Sequence, residues 1–336
     1  MDEPIYSLNH LGRLLVENPN RDWREYGNVF VNHDGDFSQF CYEQKMILTK
    51  QWNWFEQVSR GLILNNKTGK VVARPFDKFW NWGQGNRLPD DTMTCVGQTR
   101  KIDGSLGIQF FDGEKWRIVT KGSFKHRHGQ WATEWLNSYC HPENTQAGLT
   151  LIYEIVYRDN AQIVPYKEEG LTLIGARFFD GAYYHPGSEQ FKFVAMRVGV
   201  PTVDFRLIDP VQEQIEKEVE HEGWVSWWRN GMKSEYTLFK HKTRWYKALH
   251  KMIVTEGEEG DTDGNARVNV YMNRVKELKA ALEQLPPFQS LDMTDPLCKK
   301  EMAVAIQNQF PLLAKMLLPI VFHGITVEES VVKSLT

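Results

Sequence analysis

The chain has 336 residues, 41% of them hydrophobic and 12% aromatic, which is enough apolar material for one large domain and a smaller one. Its formal net charge of −3 excludes a globally basic surface, so a nucleic-acid partner would need a local basic groove. The four cysteines are scattered without a C-x-x-C pair, and the apolar stretch 310–322 is too short to span a bilayer. We therefore expect a soluble cytoplasmic protein without disulfides, signal peptide or membrane partner.

Residues 1–57 are predicted to be helical and rich in loops. From residue 61 to residue 242, short apolar runs alternate with Gly, Asp and Asn turns, a pattern typical of antiparallel hairpins. Helices are expected near 129–139 and 209–221, and the predicted strands cover 61–64, 107–111, 116–120, 149–156, 171–179 and 224–228.

From about residue 243, apolar residues recur at helical spacing, which predicts helices over 266–285 and 301–318. The acidic, glycine-rich stretch 256–264 is the expected boundary. The fold class is thus predicted to be α+β, with an antiparallel-sheet domain over 1–254 and a small all-α C-terminal domain over 255–336.

The pattern Lys-x-Asp-Gly occurs once, at Lys101 to Gly104, directly before an apolar run. A lysine attacks phosphorus only as the free amine, and desolvation with neighbouring cations lowers the lysine pKa enough to supply that form. The Asp-Gly pair permits a tight turn. The same four residues also fit a surface turn with an exposed lysine.

Three further signals follow in order along the chain. Glu154 is a single carboxylate in an otherwise apolar run, and Glu222 stands at the head of a later run. Lys240 and Lys242 alternate along a third strand, so both side chains point to one face. Two lysines on one face suit a polyphosphate, and carboxylate oxygens suit a divalent cation.

This ordered set resembles the covalent nucleotidyltransferases, and further details resemble the phage RNA ligase 1 family. Those details are Arg60-Gly61, the run 73–81, Lys121 with its neighbours, Asn160, Ile163, Val164 and Tyr166 after Glu154, and Trp245-Tyr246. The resemblance covers roughly residues 40–250 and fades beyond them. It implies an antiparallel-sheet nucleotidyltransferase domain similar to the ATP-grasp type.

The resemblance implies ATP-dependent RNA ligation with ATP and Mg²⁺ or Mn²⁺, in which Lys101 carries AMP. Lys240, Lys242 and Glu222 would share in catalysis, and Glu222 and Glu154 would hold the metal. The residues implied to bind the nucleotide are Arg60, Lys78, Trp80, Arg100, Gly104, Lys121, Glu154, Ile174, Val225, Lys240 and Lys242.

The implied partner is RNA with 5′-phosphate and 3′-hydroxyl ends, including nicked tRNA. The protein is expected to act as a monomer in the cytoplasm, which is that of a host cell if a phage encodes the chain. Another covalent nucleotidyltransferase, either a DNA ligase or an mRNA capping enzyme, is the alternative within enzymes. A non-catalytic RNA-binding relative is the alternative outside them. A DNA ligase or capping enzyme should continue into a β-rich barrel after the Lys240 strand, whereas this sequence continues as predicted helix.

Overall fold

The computed structural model describes residues 3–48, 51–160, 163–164, 166–247, 249–250, 264–285 and 295–335. The chain divides into two compact units. Unit 1 comprises Met1–Asn160, Tyr166–Ile215 and Gly223–His241, and unit 2 comprises Ala161–Pro165, Glu216–Glu222 and Lys242–Thr336. The predicted domain boundary at 254/255 lies outside the described residues.

Unit 1 is built from three sheets and short helices. Its elements are α1 (Leu8–Glu17), β1 (Val29–Asp34), β2 (Phe37–Tyr42), α2 (Trp54–Val58), β3 (Arg60–Asn65), β4 (Val71–Ala73), β5 (Trp80–Asn81), β6 (Met93–Lys101), β7 (Ser105–Phe111), β8 (Trp116–Thr120), α3 (Arg127–Tyr139), β9 (Leu149–Val156), β10 (Gly170–Phe178), β11 (Tyr183–Tyr184), α4 (Glu189–Val198), β12 (Phe205–Arg206), α5 (Gln212–Lys217, whose last residues belong to unit 2), β13 (Gly223–Asn230) and β14 (Thr237–Lys242, whose last residue belongs to unit 2).

The strand orders are β1-β2-β3-β4, β11-β10-β9-β7-β8 and β12-β6-β13-β14-β5. The predicted α+β class with antiparallel pairing is confirmed: β7 pairs antiparallel with β8 and β9, and β6 with β13. One pairing differs, because the two-residue β5 runs parallel to β14. The predicted strands 116–120 and 149–156 have the observed bounds of β8 and β9.

The prediction for residues 1–57 is wrong where β1 and β2 form a hairpin. The signal was the Asp34-Gly35 pair between apolar runs, and Gly35 adopts the left-handed conformation such a turn requires, with φ +55°. Helix α4 was not predicted, and the helix predicted over 209–221 is shorter, spanning only Gln212–Lys217.

Unit 2 contains α6 (Gly264–Gln284), α7 (Pro296–Gln309), α8 (Ala314–His323) and α9 (Val327–Leu335), and residues 244–247 are also helical. The single helix predicted over 301–318 is wrong. Proline disfavours helical backbone at the preceding residue, and Phe310 before Pro311 has φ −131° and ψ 60°, so α7 ends there.

The core of unit 2 is formed by apolar side chains of these helices, including Leu278, Ile306, Leu317 and Val331. Ile163 and Val164, from the middle of the sequence, are buried in the same core. No helix in the described part of the chain is long and apolar enough to cross a bilayer.

Candidate functional site

The predicted nucleophile ends β6, and the turn 102–104 leads directly into β7. Lys101 pairs with Gly223 of β13, while Ser105 pairs with Ile155 of β9. The turn therefore joins two different sheets of unit 1. Asp103 within it is only 5% exposed, which excludes a freely exposed surface turn.

Gly104 is required by close packing of this turn on β9. A Cβ atom at this position would lie 2.5 Å from the carbonyl oxygen of Ile155 and 3.1 Å from Cγ of Glu154. Backbone cannot yield to such a contact, so the site excludes larger residues. Glu154 lies opposite Leu106 in the β7–β9 pair, and directly opposed residues share one face of a sheet.

Leu106 belongs to an apolar cluster that joins the predicted base-binding residues. Ile174 and Val225 both pack against the buried side chains of this cluster, and so does Phe79. The cluster's buried members are Phe76, Ile152, Tyr183, Trp227 and Leu238. We call Phe79, Leu106, Ile174 and Val225 the apolar floor. Phe79 is aromatic, and it was not among the predicted site residues.

Two positively charged side chains of unit 1 lie near the Phe79 ring of the apolar floor. Nζ of Lys240 lies 4.5 Å from the Phe79 ring centroid, and Cζ of Arg60 lies 5.2 Å from it. Nη1 of Arg60 is buried with no hydrogen-bond partner. A buried guanidinium N–H without a partner is costly unless a ligand satisfies it, which points to an anion.

A second group of cations surrounds Lys78. Its Nζ lies 4.9 Å from the Trp80 ring centroid and 5.1 Å from that of Trp52. Lys121 lies 4.6 Å from the Tyr42 ring, and Arg87 lies 3.9 Å from the Trp80 ring. Aromatic faces attract cations, so these rings hold the charged groups close together. We call Arg60, Lys78, Arg87 and Lys121 the cation cluster.

This crowding is visible in the pKa of Lys78, which is lowered to about 8. Burial is the largest cause, followed by the charges of Arg60, Lys121 and Arg87. Like charges held together in a partly buried site are arranged for an anion, because an anion relieves their mutual repulsion.

The end of β14 is arranged differently. Lys240 and Lys242 are both partly exposed, while His241 between them is fully buried, as strand alternation predicts. Within unit 2, Nζ of Lys242 lies 2.9 Å from Oε1 of Glu222, and its ammonium lies 4.7 Å from the Tyr246 ring. Glu222 is 2% exposed, and its carbonyl accepts a hydrogen bond from the Thr243 N–H.

His241 is anchored on the other face of β14. Its Nε2 lies 2.8 Å from Oγ of Ser226, and its Nδ1 lies 2.8 Å from Oε1 of Gln212. Burial, with the nearby charge of Arg206, lowers the pKa of His241 to about 4, so the ring is neutral at neutral pH. A neutral ring can accept from Ser226 and donate to Gln212 at once.

Arg100 is the predicted site residue that lies apart from these groups. It precedes Lys101 in β6 and so points to the opposite face of the strand, where its guanidinium lies 5.0 Å from the Trp224 ring. Conversely, Tyr42, Trp52 and Arg87 are not among the predicted site residues, although all three lie near Lys78.

Among the described residues there is no group of three or more His, Cys, Asp or Glu side chains that could hold a metal ion. Mg²⁺ commonly takes one or two protein carboxylates and completes its shell with water and phosphate oxygens. Each of the two predicted metal ligands, Glu154 in unit 1 and Glu222 in unit 2, offers a carboxylate oxygen of the type that such a site uses.

Comparison with known proteins identifies the family of the chain. The model of a phage T4-type RNA ligase 1 family, described as RNA ligase, matches residues 58–246, which is more than half of the chain. A protein of Thermovibrio ammonificans is 26% identical over 200 residues, covering 57% of this chain and 52% of that one. RNA ligase 1 of bacteriophage TS2126 is 26% identical over 145 residues, covering 38% and 36%. The chain thus matches about half or less of these relatives' lengths.

A solved structure of a Naegleria gruberi RNA ligase mutant with ATP and Mn is a looser match. It has a TM-score of 0.36 and 18% identity, and covers 47% of this chain and 51% of that one. The chain belongs to the phage-type RNA ligase 1 family of RNA ligases.

Proposed function

We propose that the chain is an ATP-dependent RNA ligase with a nucleotidyltransferase fold, in which Nζ of Lys101 accepts AMP and passes it to an RNA end. The observation that carries this proposal is the cation cluster, with its depressed Lys78 pKa and the unpartnered Nη1 of Arg60. Such a cluster suits a polyphosphate. It lies in the same unit as the Lys101 turn and the apolar floor.

In the first step, the free amine of Lys101 attacks the α-phosphorus of ATP. A P–N bond forms, the bond from the α-phosphorus to the bridging oxygen breaks, pyrophosphate leaves, and the nitrogen loses a proton. Lys240 holds the α-phosphate, while Arg60 and Lys78 hold the β- and γ-phosphates. Reactions of this kind depend on positioning and charge neutralisation, which these cations supply.

In the second step, a 5′-phosphate oxygen of RNA attacks the same phosphorus, the P–N bond breaks, and the lysine nitrogen takes up a proton. In the third, a 3′-hydroxyl attacks the activated 5′-phosphate, loses its proton, and AMP departs. Ile174 and Val225 flank the adenine, and Glu154 contacts the ribose or would hold a divalent cation, which would supply neutralisation of phosphate charge.

The region after β14 favours an RNA ligase over a DNA ligase or capping enzyme. Its described residues are helical, whereas those relatives were expected to continue into a β-rich barrel. A non-catalytic RNA-binding protein would not need a nearly buried Asp103 turn next to a carboxylate strand. We propose that a monomer joins 5′-phosphate and 3′-hydroxyl ends, and that the helical unit 2 selects structured RNA such as nicked tRNA.

The central test is covalent labelling. The purified protein is incubated with α-labelled ATP and Mg²⁺ and then separated by denaturing electrophoresis. We expect labelled wild type, unlabelled Lys101→Ala and fully labelled Lys115→Ala, since Lys115 is an exposed lysine of a hairpin turn. Equal labelling of Lys101→Ala, or none of wild type, would refute the proposal.

The proposed role of unit 2 has a separate test. Lys299 and Lys300 are adjacent exposed lysines of α7. Replacing both with alanine should slow sealing of a nicked tRNA anticodon loop about 3- to 10-fold, because phosphate contacts dominate RNA affinity. Lysyl-AMP formation should be unchanged. Equal slowing on an unstructured single strand would count against selection of structured RNA.

A further inference from the structure

The nucleophile turn is held from both sides by one stretch of chain. The backbone N–H of Asp103 donates a hydrogen bond of 2.7 Å to Oη of Tyr166. On the other side of Gly104, the hydroxyl of Ser105 donates a hydrogen bond of 3.0 Å to Oδ1 of Asn160. Both partners come from the segment 160–166, which follows the strand that carries Glu154.

Asn160 is itself locked in place. It is 4% exposed, its Nδ2 donates to the carbonyl of Ile155 at 2.7 Å, and its backbone N–H donates to the carbonyl of Tyr157 at 2.9 Å. Because Ile155 is also the residue against which Gly104 packs, Asn160 ties the end of β9 to the start of β7.

Tyr166, unlike Asn160, is exposed. It is 41% exposed, yet its hydroxyl accepts from the N–H of the nearly buried Asp103. This hydrogen bond satisfies a backbone donor two residues from Lys101.

We propose that Asn160 and Tyr166 are positioning residues for Lys101, because their side chains hold the nucleophile turn from both sides. Neither side chain touches the reacting atoms. This inference rests on the proposed adenylylation of Lys101.

The test of this positioning role removes only the hydroxyl of Tyr166. In Tyr166→Phe, the initial rate of lysyl-AMP formation should fall about 5- to 10-fold, the effect of losing one hydrogen bond of ordinary strength. The ATP concentration giving half-maximal rate and the final labelled fraction should stay at wild-type values. The control is Tyr184→Phe, which removes a hydroxyl bonded to Gln146 at 3.3 Å in the same unit and should label at the wild-type rate. Thermal unfolding of both variants shows whether they are folded.

The outcomes separate the two proposals. If wild type labels at Lys101 but Tyr166→Phe keeps the wild-type rate, the positioning role is wrong and adenylylation stands. A reduced final labelled fraction with an unchanged rate indicates loss of folded protein and also overturns positioning. If wild type is not labelled, both proposals fall.

Discussion

Units 1 and 2 hold positive charges in opposite ways. In unit 1, the cation cluster packs four like charges around aromatic rings, and one guanidinium nitrogen of Arg60 is buried with no hydrogen-bond partner among the described residues. In unit 2, Lys242 pairs with the buried carboxylate of Glu222 at 2.9 Å. The first arrangement brings like charges together, whereas the second pairs opposite charges.

The two arrangements have opposite effects on the stability of the free protein. Groups that repel one another reduce the stability of the free protein but provide binding energy for a polyphosphate. A buried pair does the reverse, because removing either partner leaves an uncompensated charge. Substitutions in the two regions should therefore change stability in opposite directions.

The largest expected effect comes from Arg60→Met. Lysyl-AMP formation should fall about 100-fold, the usual cost of one charge-stabilising donor in an active site. The free energy of unfolding should be unchanged or rise by about 0.5–1 kcal/mol, because an unpartnered buried donor is removed. Urea unfolding and labelling kinetics measure the two effects, with the exposed Arg13→Met as control. A clear loss of stability would contradict the comparison.

Glu222→Ala should lower the free energy of unfolding by about 1–3 kcal/mol, since Lys242 loses its partner and remains three-quarters buried. Lys242→Met in the same background should recover part of that loss. Additive effects of the two substitutions in a double-mutant cycle would show that the pair does not couple.

Pyrophosphate alone should stabilise the protein. At ten times its dissociation constant, the gain is about 1.4 kcal/mol for a ligand that binds only the folded state. Calorimetric unfolding should show this shift for wild type, and a smaller one for Lys78→Met at the same pyrophosphate concentration. Sodium chloride at matched ionic strength is the control, and an equal shift with it would indicate general screening.

The smallest effect is the pH dependence due to Lys78. Its pKa is about 8 in the folded protein and 10.5 ordinarily, so between these values the unfolded chain binds more protons. Stability of the free protein therefore gains a favourable contribution as pH rises from about 8 to 10.5. Urea unfolding at several pH values should show this rise in wild type and a smaller one in Lys78→Met. An identical dependence in both would exclude Lys78 as the cause.

Much of the local structure was predictable because it depends on neighbouring residues. Strands β8 and β9 follow from short apolar runs between turn residues, and the exposed Lys240 and Lys242 around the buried His241 follow from the alternation of a strand. The two wrong predictions also have local causes. The Asp34-Gly35 pair forms a hairpin turn within residues 1–57, and Pro311 ends a helix within residues 301–318.

The sequence by itself determined the family, and it predicted the nucleophile and the order of the charged motifs. These features depend on short runs of residues, each of which can be interpreted from its own chemistry. Only the tertiary structure decided that Tyr42, Trp52 and Arg87 surround Lys78, because their contacts join distant parts of the chain and depend on packing. It also decided that Ile163 and Val164 are buried in the helical core. Burial of that kind is a property of the assembled core, and no periodicity in the segment encodes it.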